Sequence, residues 1–185
     1  MSERLIEPPA ALAVSMDAAR RAARVDVGPD GTSPLDDDIA RAVKAYTRDA
    51  EHATGRAFIY QTWRVTLDAF PDAFKSPKGP LDSVKRIGFC GVDGSPATLD
   101  PKDYLVDVES TPGYVVPAPG CAWPATAGRI GAVEADVVCG YGPDDTFVPD
   151  EAKEYILARV QMKFSPVGTV TDADFDGLLD GLRIY

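Results

Sequence analysis

The chain is poor in the residues that metal sites and nucleophilic enzymes use most. Its 185 residues include three cysteines and a single histidine, His52. Cys90, Cys121 and Cys139 form no CxxC pair, whereas a structural zinc site needs four nitrogen or sulfur ligands at local spacing. The sequence therefore predicts no metal site. Three reduced and mostly buried thiols are expected instead.

Long apolar runs and basic charge are also scarce. No segment approaches the ~18 consecutive apolar residues of a membrane span, so none is predicted. The opening MSERLIEPPA lacks the basic and apolar regions of a signal peptide, so nothing predicts export. Nineteen basic residues stand against 29 acidic ones, a net charge of -10. Proteins that bind DNA through its phosphates carry the opposite excess, so such binding is not expected, although an acidic surface can still border a channel through which DNA slides.

Motifs for catalysis are missing as well. The sequence contains no phosphate-binding GxxxxGK[ST] or GxGxxG loop and no GxSxG nucleophile elbow. Gly140-Tyr141-Gly142 is a lone GxG, which is more typical of a turn at a strand end. His52 has no serine or cysteine at a spacing that matches a nucleophile motif. We therefore expect neither an enzyme nor a cofactor.

Three segments have helical patterns. Ser15 predicts the N-cap of an Ala-rich first helix. Ser33 and Pro34 predict the N-cap and first residue of a second helix that ends at Gly55. A third helix is predicted after Pro149. The predicted apolar stripes are Leu35, Ile39, Val43, Tyr46, Ala50 and Ala53 on the second helix, and Ala152, Ile156 and Val160 on the third.

Between these helices the apolar period changes to two. Strands are predicted through residues 63–67, 84–90, 104–108 and 133–139, with Glu134 and Asp136 on the opposite face of the last one. The predicted class is α+β: a small bundle of three main helices with an inserted, mostly antiparallel β subdomain and an extended C-terminal tail. The predicted divisions are 1–56 (N-terminal helical part), 57–147 (β insertion), 148–164 (third bundle helix) and 165–185 (tail).

The acidic tail contains one pattern typical of calcium sites. Asp172-x-Asp174-x-Asp176-Gly177 matches the start of an EF-hand loop. Arg183 stands at the twelfth position, where the loop needs a bidentate glutamate. We therefore predict a solvated acidic tail, and a small calcium-binding interaction module is the less favoured alternative.

An ordered set of short motifs resembles a family of tailed-phage head–tail connector proteins, the head-completion adaptors with a β insertion between helices. The resemblance runs from residue 7 to about residue 164, and it departs from the family in the Ala-rich first helix and in the tail. The matching motifs are Glu7-Pro8-Pro9-Ala10, Thr54-Gly55-Arg56, Gln61-Thr62-Trp63, Leu99-Asp100-Pro101, Pro117-Ala118-Pro119-Gly120, Trp123-Pro124, Gly140-Tyr141-Gly142 and Val148-Pro149.

The resemblance implies a structural virion protein of the particle neck, made in the cytoplasm of a bacterial host. Such adaptors form a homo-oligomeric ring, here expected to be dodecameric, beneath the portal protein. The ring extends the channel through which DNA passes without sequence-specific binding, and it is a docking platform for a stopper or tail terminator. A stopper or tail-completion protein is the alternative role within the same particle, which could be a phage, a prophage or a gene transfer agent.

Nine residues are candidates for contacts in such an assembly. Arg41, Lys44 and Arg48 are expected to contact a neighbouring subunit, with a solvated helix face as the alternative. Trp123, in a loop, is a candidate contact with a neighbour, whereas Trp63 is expected in the β core. Family adaptors bind the portal through their C-terminal ends, so the tail residues are portal-binding candidates, with folding back onto the third helix as the alternative. These tail residues are Phe175, Leu178, Leu179, Leu182 and Tyr185.

Overall fold

The computed structural model describes residues 1–165 and 177–184. Its three helices are α1 (Met16–Ala23), α2 (Asp36–Thr54) and α3 (Asp150–Phe164). Its strands are β1 (Ser2–Glu7), β2 (Gln61–Leu67), β3 (Phe74–Lys75), β4 (Leu81–Cys90), β5 (Pro96–Thr98), β6 (Tyr104–Asp107), β7 (Tyr114–Pro117) and β8 (Val133–Cys139). This confirms the predicted α+β class.

The chain divides into two compact units. The β unit comprises residues 1–8 and 60–140, and the helical unit comprises residues 9–59 and the chain from residue 141 onward. The predicted helical segment 1–56 thus begins with a strand of the β unit. β1 pairs with β2, with Leu5 opposite Trp63, and local periodicity cannot predict a pairing between residues so far apart in sequence.

The β unit consists of two antiparallel sheets. The larger has the strand order β1-β2-β8-β4-β5 and the smaller the order β3-β7-β6. β8 pairs with β2 on one side and with β4 on the other, and its apolar residues are almost fully buried. Trp63 lies on the same face of β2 as Val65 and Leu67 but is only half-buried. The predicted alternation therefore holds, because one face of the sheet is apolar and the other is charged.

The core of the helical unit confirms the pattern predicted for α3. Ala152, Ile156 and Val160 are each 0% exposed, and they pack with Ile39 and Val43 of α2. The cap of α1 is also as predicted, because Ser15 Oγ accepts a hydrogen bond from Ala18 N at 3.2 Å. Gly55 ends α2 with φ 72°, a left-handed conformation that glycine adopts without strain.

The predicted start of α2 is wrong. The helix begins at Asp36, not after Ser33, because residues 33–35 form a turn closed by Asp36 N donating to Ser33 O at 3.1 Å. The carboxylate of Asp36 accepts hydrogen bonds from Ser33 N at 3.0 Å and from Arg20 of α1 at 2.6 and 2.8 Å. These bonds hold the pKa of Asp36 at about 2, with the Arg20 hydrogen bond the largest cause.

Two outer positions of the predicted α2 stripe are also wrong. Leu35 precedes the helix and is 39% exposed, and Ala53 is also exposed. The buried face instead includes Thr47 and Thr54, whose hydroxyls donate to Val43 O at 2.8 Å and Ala50 O at 2.7 Å. Because a threonine can satisfy its hydroxyl within its own helix, it can be buried where a polar residue is not expected.

Candidate assembly surfaces

The predicted basic contact residues lie together on the exposed side of α2. Arg41, Lys44 and Arg48 are all exposed, and Arg41 pairs with Asp38 of its own helix at 2.8 Å. Within residues 1–165 and 177–184, neither Lys44 nor Arg48 has an ion pair. Since α2 packs against α1 and α3 through its opposite side, these two cations remain available to an outside partner.

The C-terminal residues 177–184 form a turn that packs against the helical unit. Leu179 is 4% exposed and belongs to the core, and Leu182 packs against its edge. Arg56 Nε donates to Leu182 O at 2.5 Å, and Ile184 N donates to Thr54 O at 2.9 Å. The turn is 3₁₀ over Asp180–Leu182.

This packing determines how exposed the tail leucines are. Leu179 is enclosed by its own chain in this conformation, and its contact with the portal stays a prediction. Leu178 and Leu182 are half-buried. Phe175 and Tyr185, the aromatic candidates, lie outside the described residues. The alternative expectation was that the tail folds back onto the third helix. Leu179 does pack in the core that includes α3, but the hydrogen bonds of residues 177–184 go to Thr54 and Arg56 at the end of α2.

Trp123 packs within the β unit. Its ring stacks on Phe70 with centroids 4.8 Å apart, and Phe74 lies on it at 6.3 Å. Its indole nitrogen, like that of Trp63, is buried and finds no hydrogen-bond partner among the residues that the structure describes. A ring that already covers two phenylalanines contributes mainly to its own subdomain. The contact with a neighbour predicted for Trp123 therefore stays a prediction.

Sequence reasoning missed a charged ladder on the larger sheet, made of Arg64, Asp136, Arg86 and Glu134. Arg64 of β2 and Arg86 of β4 both lie opposite Asp136 of β8. Arg64 binds the Asp136 carboxylate with two hydrogen bonds of 2.7 and 2.9 Å, while Arg86 reaches Glu134 at 3.3 Å and Asp136 at 3.5 Å. The Arg64 hydrogen bond is the main cause that lowers the pKa of Asp136.

Gly88 is the local signal that could have indicated this ladder. The Arg86 side chain extends along β4 over Gly88, where any Cβ would collide with its guanidinium group. A glycine inside a strand marks such a close approach. The alternation of charged residues at 64, 134 and 136 was visible, but the pairing of their strands was not.

A second exposed surface surrounds the 3₁₀ turn before α3. Phe147 is 53% exposed, although it is a large apolar residue. Asp144 caps this turn by accepting from Thr146 N at 3.0 Å. Asp150, Glu151 and Glu154, the exposed residues that follow, are acidic. An exposed aromatic ring surrounded by polar residues resembles the centre and rim of a protein contact surface.

Across residues 1–165 and 177–184, no group of three His, Cys, Asp or Glu residues is placed to hold a metal ion. Most of the EF-hand-like segment lies outside these ranges, and within them Asp180 pairs with Arg183 at 3.4 Å. Cys90 and Cys139 are buried and Cys121 is exposed. Burial raises the pKa of the Cys139 thiol to about 12.

No helix in the described part of the chain is long and apolar enough to cross a membrane. No protein-family model matches the sequence, and no curated protein matches it. The fold itself defines a class: an α+β protein whose helical unit is interrupted in sequence by an antiparallel β unit.

Solved structures contain this same fold. A chain from the neck of an empty gene transfer agent (GTA) particle, computed with C6 symmetry, is similar with a TM-score of 0.81 and 17% identity, over 100% of this chain and 96% of that one. A chain from the virion of a native GTA particle has a TM-score of 0.77 and 19% identity. A chain from the neck of a native GTA particle, computed with C12 symmetry, has 0.71 and 18%. Both coverages are again 100% and 96%.

Proposed function

We propose that this protein is a structural component of the neck of a gene transfer agent or phage-like particle. The observation that carries the proposal is the match of its whole length to a chain from a particle neck, with a TM-score of 0.81. The match includes both units, so the likeness is not one of a common small domain. The ordered motifs of the sequence independently resemble the adaptors of the same region.

Within the neck, the role we propose is that of a head–tail adaptor. Copies of the chain form a ring on the portal protein, extend the DNA channel and present a platform to the stopper or tail terminator. The similar necks were computed with C6 and C12 symmetry, which supports a ring of repeated subunits. A net charge of -10 suits a channel wall to which DNA does not adhere. The role requires neither catalysis nor a cofactor.

The portal contact is proposed for the tail, with its residues revised. Phe175 and Tyr185 remain candidates, together with the half-buried Leu178 and Leu182, because Leu179 is occupied in the core. Removing the whole tail would also remove Leu179, so a deletion could abolish binding by destabilising the fold. The variant Phe175→Ala/Tyr185→Ala tests portal binding with Leu179 in place, and circular dichroism checks that it is folded.

The experiment is to tag the chain in the host, purify the particles and locate the tag by electron microscopy. An adaptor is expected as a ring between portal and tail, and the purified chain is expected to bind isolated portal. A chain that is absent from purified particles would refute the neck role. A chain that is present, but binds only the tail side, would identify the alternative stopper or tail-completion protein.

A further inference from the structure

The exposed ring of Phe147 is fixed in place by its own chain. Its inner side lies on Gly142, where any Cβ would collide with the ring. The turn that carries it is held by Asp144, which also accepts from Thr146 Oγ1 at 2.5 Å. A rigid aromatic side chain that is 53% exposed loses little conformational entropy when a partner covers it.

Acidic side chains border this ring along the start of α3. Asp150, Glu151 and Glu154 are exposed, and the Asp150 side chain is 94% exposed. Asp150 is partly neutralised by Lys153 at 3.4 Å. The patch formed by Phe147, Asp150, Glu151 and Glu154, here called the acidic knob, therefore combines an apolar centre with a negative border.

The chain also carries a group of exposed cations on α2, where Asp38 and Asp49 are exposed as well. On the exposed side of α2, Ala45 lies one helical turn from both Arg41 and Arg48 and next to Lys44, and all four residues are exposed. The small side chain of Ala45 leaves room for a ring between two guanidinium groups, which attract the face of a phenyl ring. We call Arg41, Lys44, Ala45 and Arg48 the basic face.

We propose that the acidic knob of one copy binds the basic face of the next copy, with Phe147 seated on Ala45 between Arg41 and Arg48. This inference rests on the proposed function, and it identifies the subunit contact of the ring. In this contact each copy uses its knob on one neighbour and its basic face on the other neighbour, which makes the contact head-to-tail. Such a contact generates a ring when its rotation closes.

The contact is tested by covalent trapping with the full-length chain. Cys121, the exposed thiol, is changed to serine, and Ala45→Cys is combined with Pro143→Cys, an exposed position beside the knob. A short bismaleimide is expected to produce a ladder of dimers, trimers and larger products, because each contact leaves two unused patches. The matched control joins Ala45→Cys to Ala125→Cys, an exposed position in the β unit, and should react at least about tenfold more slowly. Equal rates for the two pairs would overturn the proposal.

Charge reversal gives a second and independent readout in the same trapping assay. Lys44→Glu/Arg48→Glu and Glu151→Lys/Glu154→Lys should each slow the ladder about tenfold, and their combination in one chain should restore it. Arg21→Glu/Arg129→Glu has the same charge change as the first pair at exposed sites elsewhere and should have no effect. Circular dichroism checks that each variant is folded.

Phe147→Ala should slow trapping, whereas Leu105→Ala, at an equally exposed apolar residue of the β unit, should not. If the folded Phe147→Ala variant, or either charge-reversed pair of the two patches, is trapped as fast as the parent chain, the proposal is overturned. The proposed function is judged separately, by whether the tagged chain lies in the particle neck. A chain found there, with no selective trapping, would retain the neck role and eliminate this contact.

Discussion

The docked C-terminal turn makes a direct prediction about Leu179. If this residue is part of the core, Leu179→Ala should destabilise the helical unit, although only six residues follow it in the sequence. If the turn were a free arm that orders only on a partner, the same substitution would leave the isolated chain unchanged. Leu178, next to it and half-buried, is the matched control.

The expected size follows from the burial of the side chain. Leu179 is 4% exposed, and truncation to alanine removes about three methylene equivalents, worth ~0.8 kcal/mol each. A cavity term is added, and buried Leu→Ala changes cost about 2–5 kcal/mol in total. Because a short terminal turn can settle into the space, we expect a loss near the lower end, about 2–3 kcal/mol. Leu178→Ala should cost less than about 1 kcal/mol.

The assay follows urea unfolding with two probes. Circular dichroism at 222 nm reports the three helices, which all belong to the helical unit, whereas tryptophan fluorescence reports Trp63 and Trp123, which both belong to the β unit. With an m-value of about 2 kcal/mol/M, Leu179→Ala should lower the helical midpoint by about 1 M. A midpoint within error of the parent chain would refute the docked turn.

Three further predictions concern the β unit, α2 and the thiols. Arg64→Met leaves the Asp136 carboxylate without its bidentate partner and should lower the free energy of unfolding, followed by tryptophan fluorescence, by about 2 kcal/mol. Arg86→Met removes longer contacts and should lower it by less than about 1 kcal/mol. Equal losses would contradict the ladder. Because its pKa in the folded chain is about 2, Asp36 contributes stability that is full above about pH 4 and is lost as the pH falls toward 2. The unfolding free energy of Asp36→Asn should therefore fall less than that of the parent chain in this window, and parallel pH curves would contradict the assignment. A thiol reagent should modify Cys121 rapidly in the native chain and the other two cysteines only on unfolding, and a second fast thiol would disprove their burial.

The sequence was sufficient where one local signal decides the structure. The spacing of Ala152, Ile156 and Val160 identified the buried side of α3, since a helix repeats every 3.6 residues and a core needs one apolar side. The alternation of β8 identified its charged face in the same way. The resemblance of the ordered motifs predicted a neck protein from the sequence alone.

The start of α2 shows where local rules compete. Ser33 and Pro34 match the sequence preferences of a helix start. The helix begins instead at Asp36, whose carboxylate accepts two hydrogen bonds from Arg20 of α1. Thr47 and Thr54 are buried in place of predicted apolar positions, because each satisfies its own hydroxyl within the helix. Both outcomes depend on which neighbour a side chain finds in space.

The charged ladder, the docked C-terminal turn and the exposure of Phe147 depend on tertiary structure. Arg64 and Asp136 are 72 residues apart in sequence, and Arg56 and Leu182 are 126 apart, so no periodic pattern within one element could relate them. Packing also determined exposure: it enclosed Leu179 and left Phe147 open to a partner. Local sequence determines which face of an element is apolar, but only the folded chain determines which apolar residues remain uncovered, because burial depends on every other segment that packs nearby.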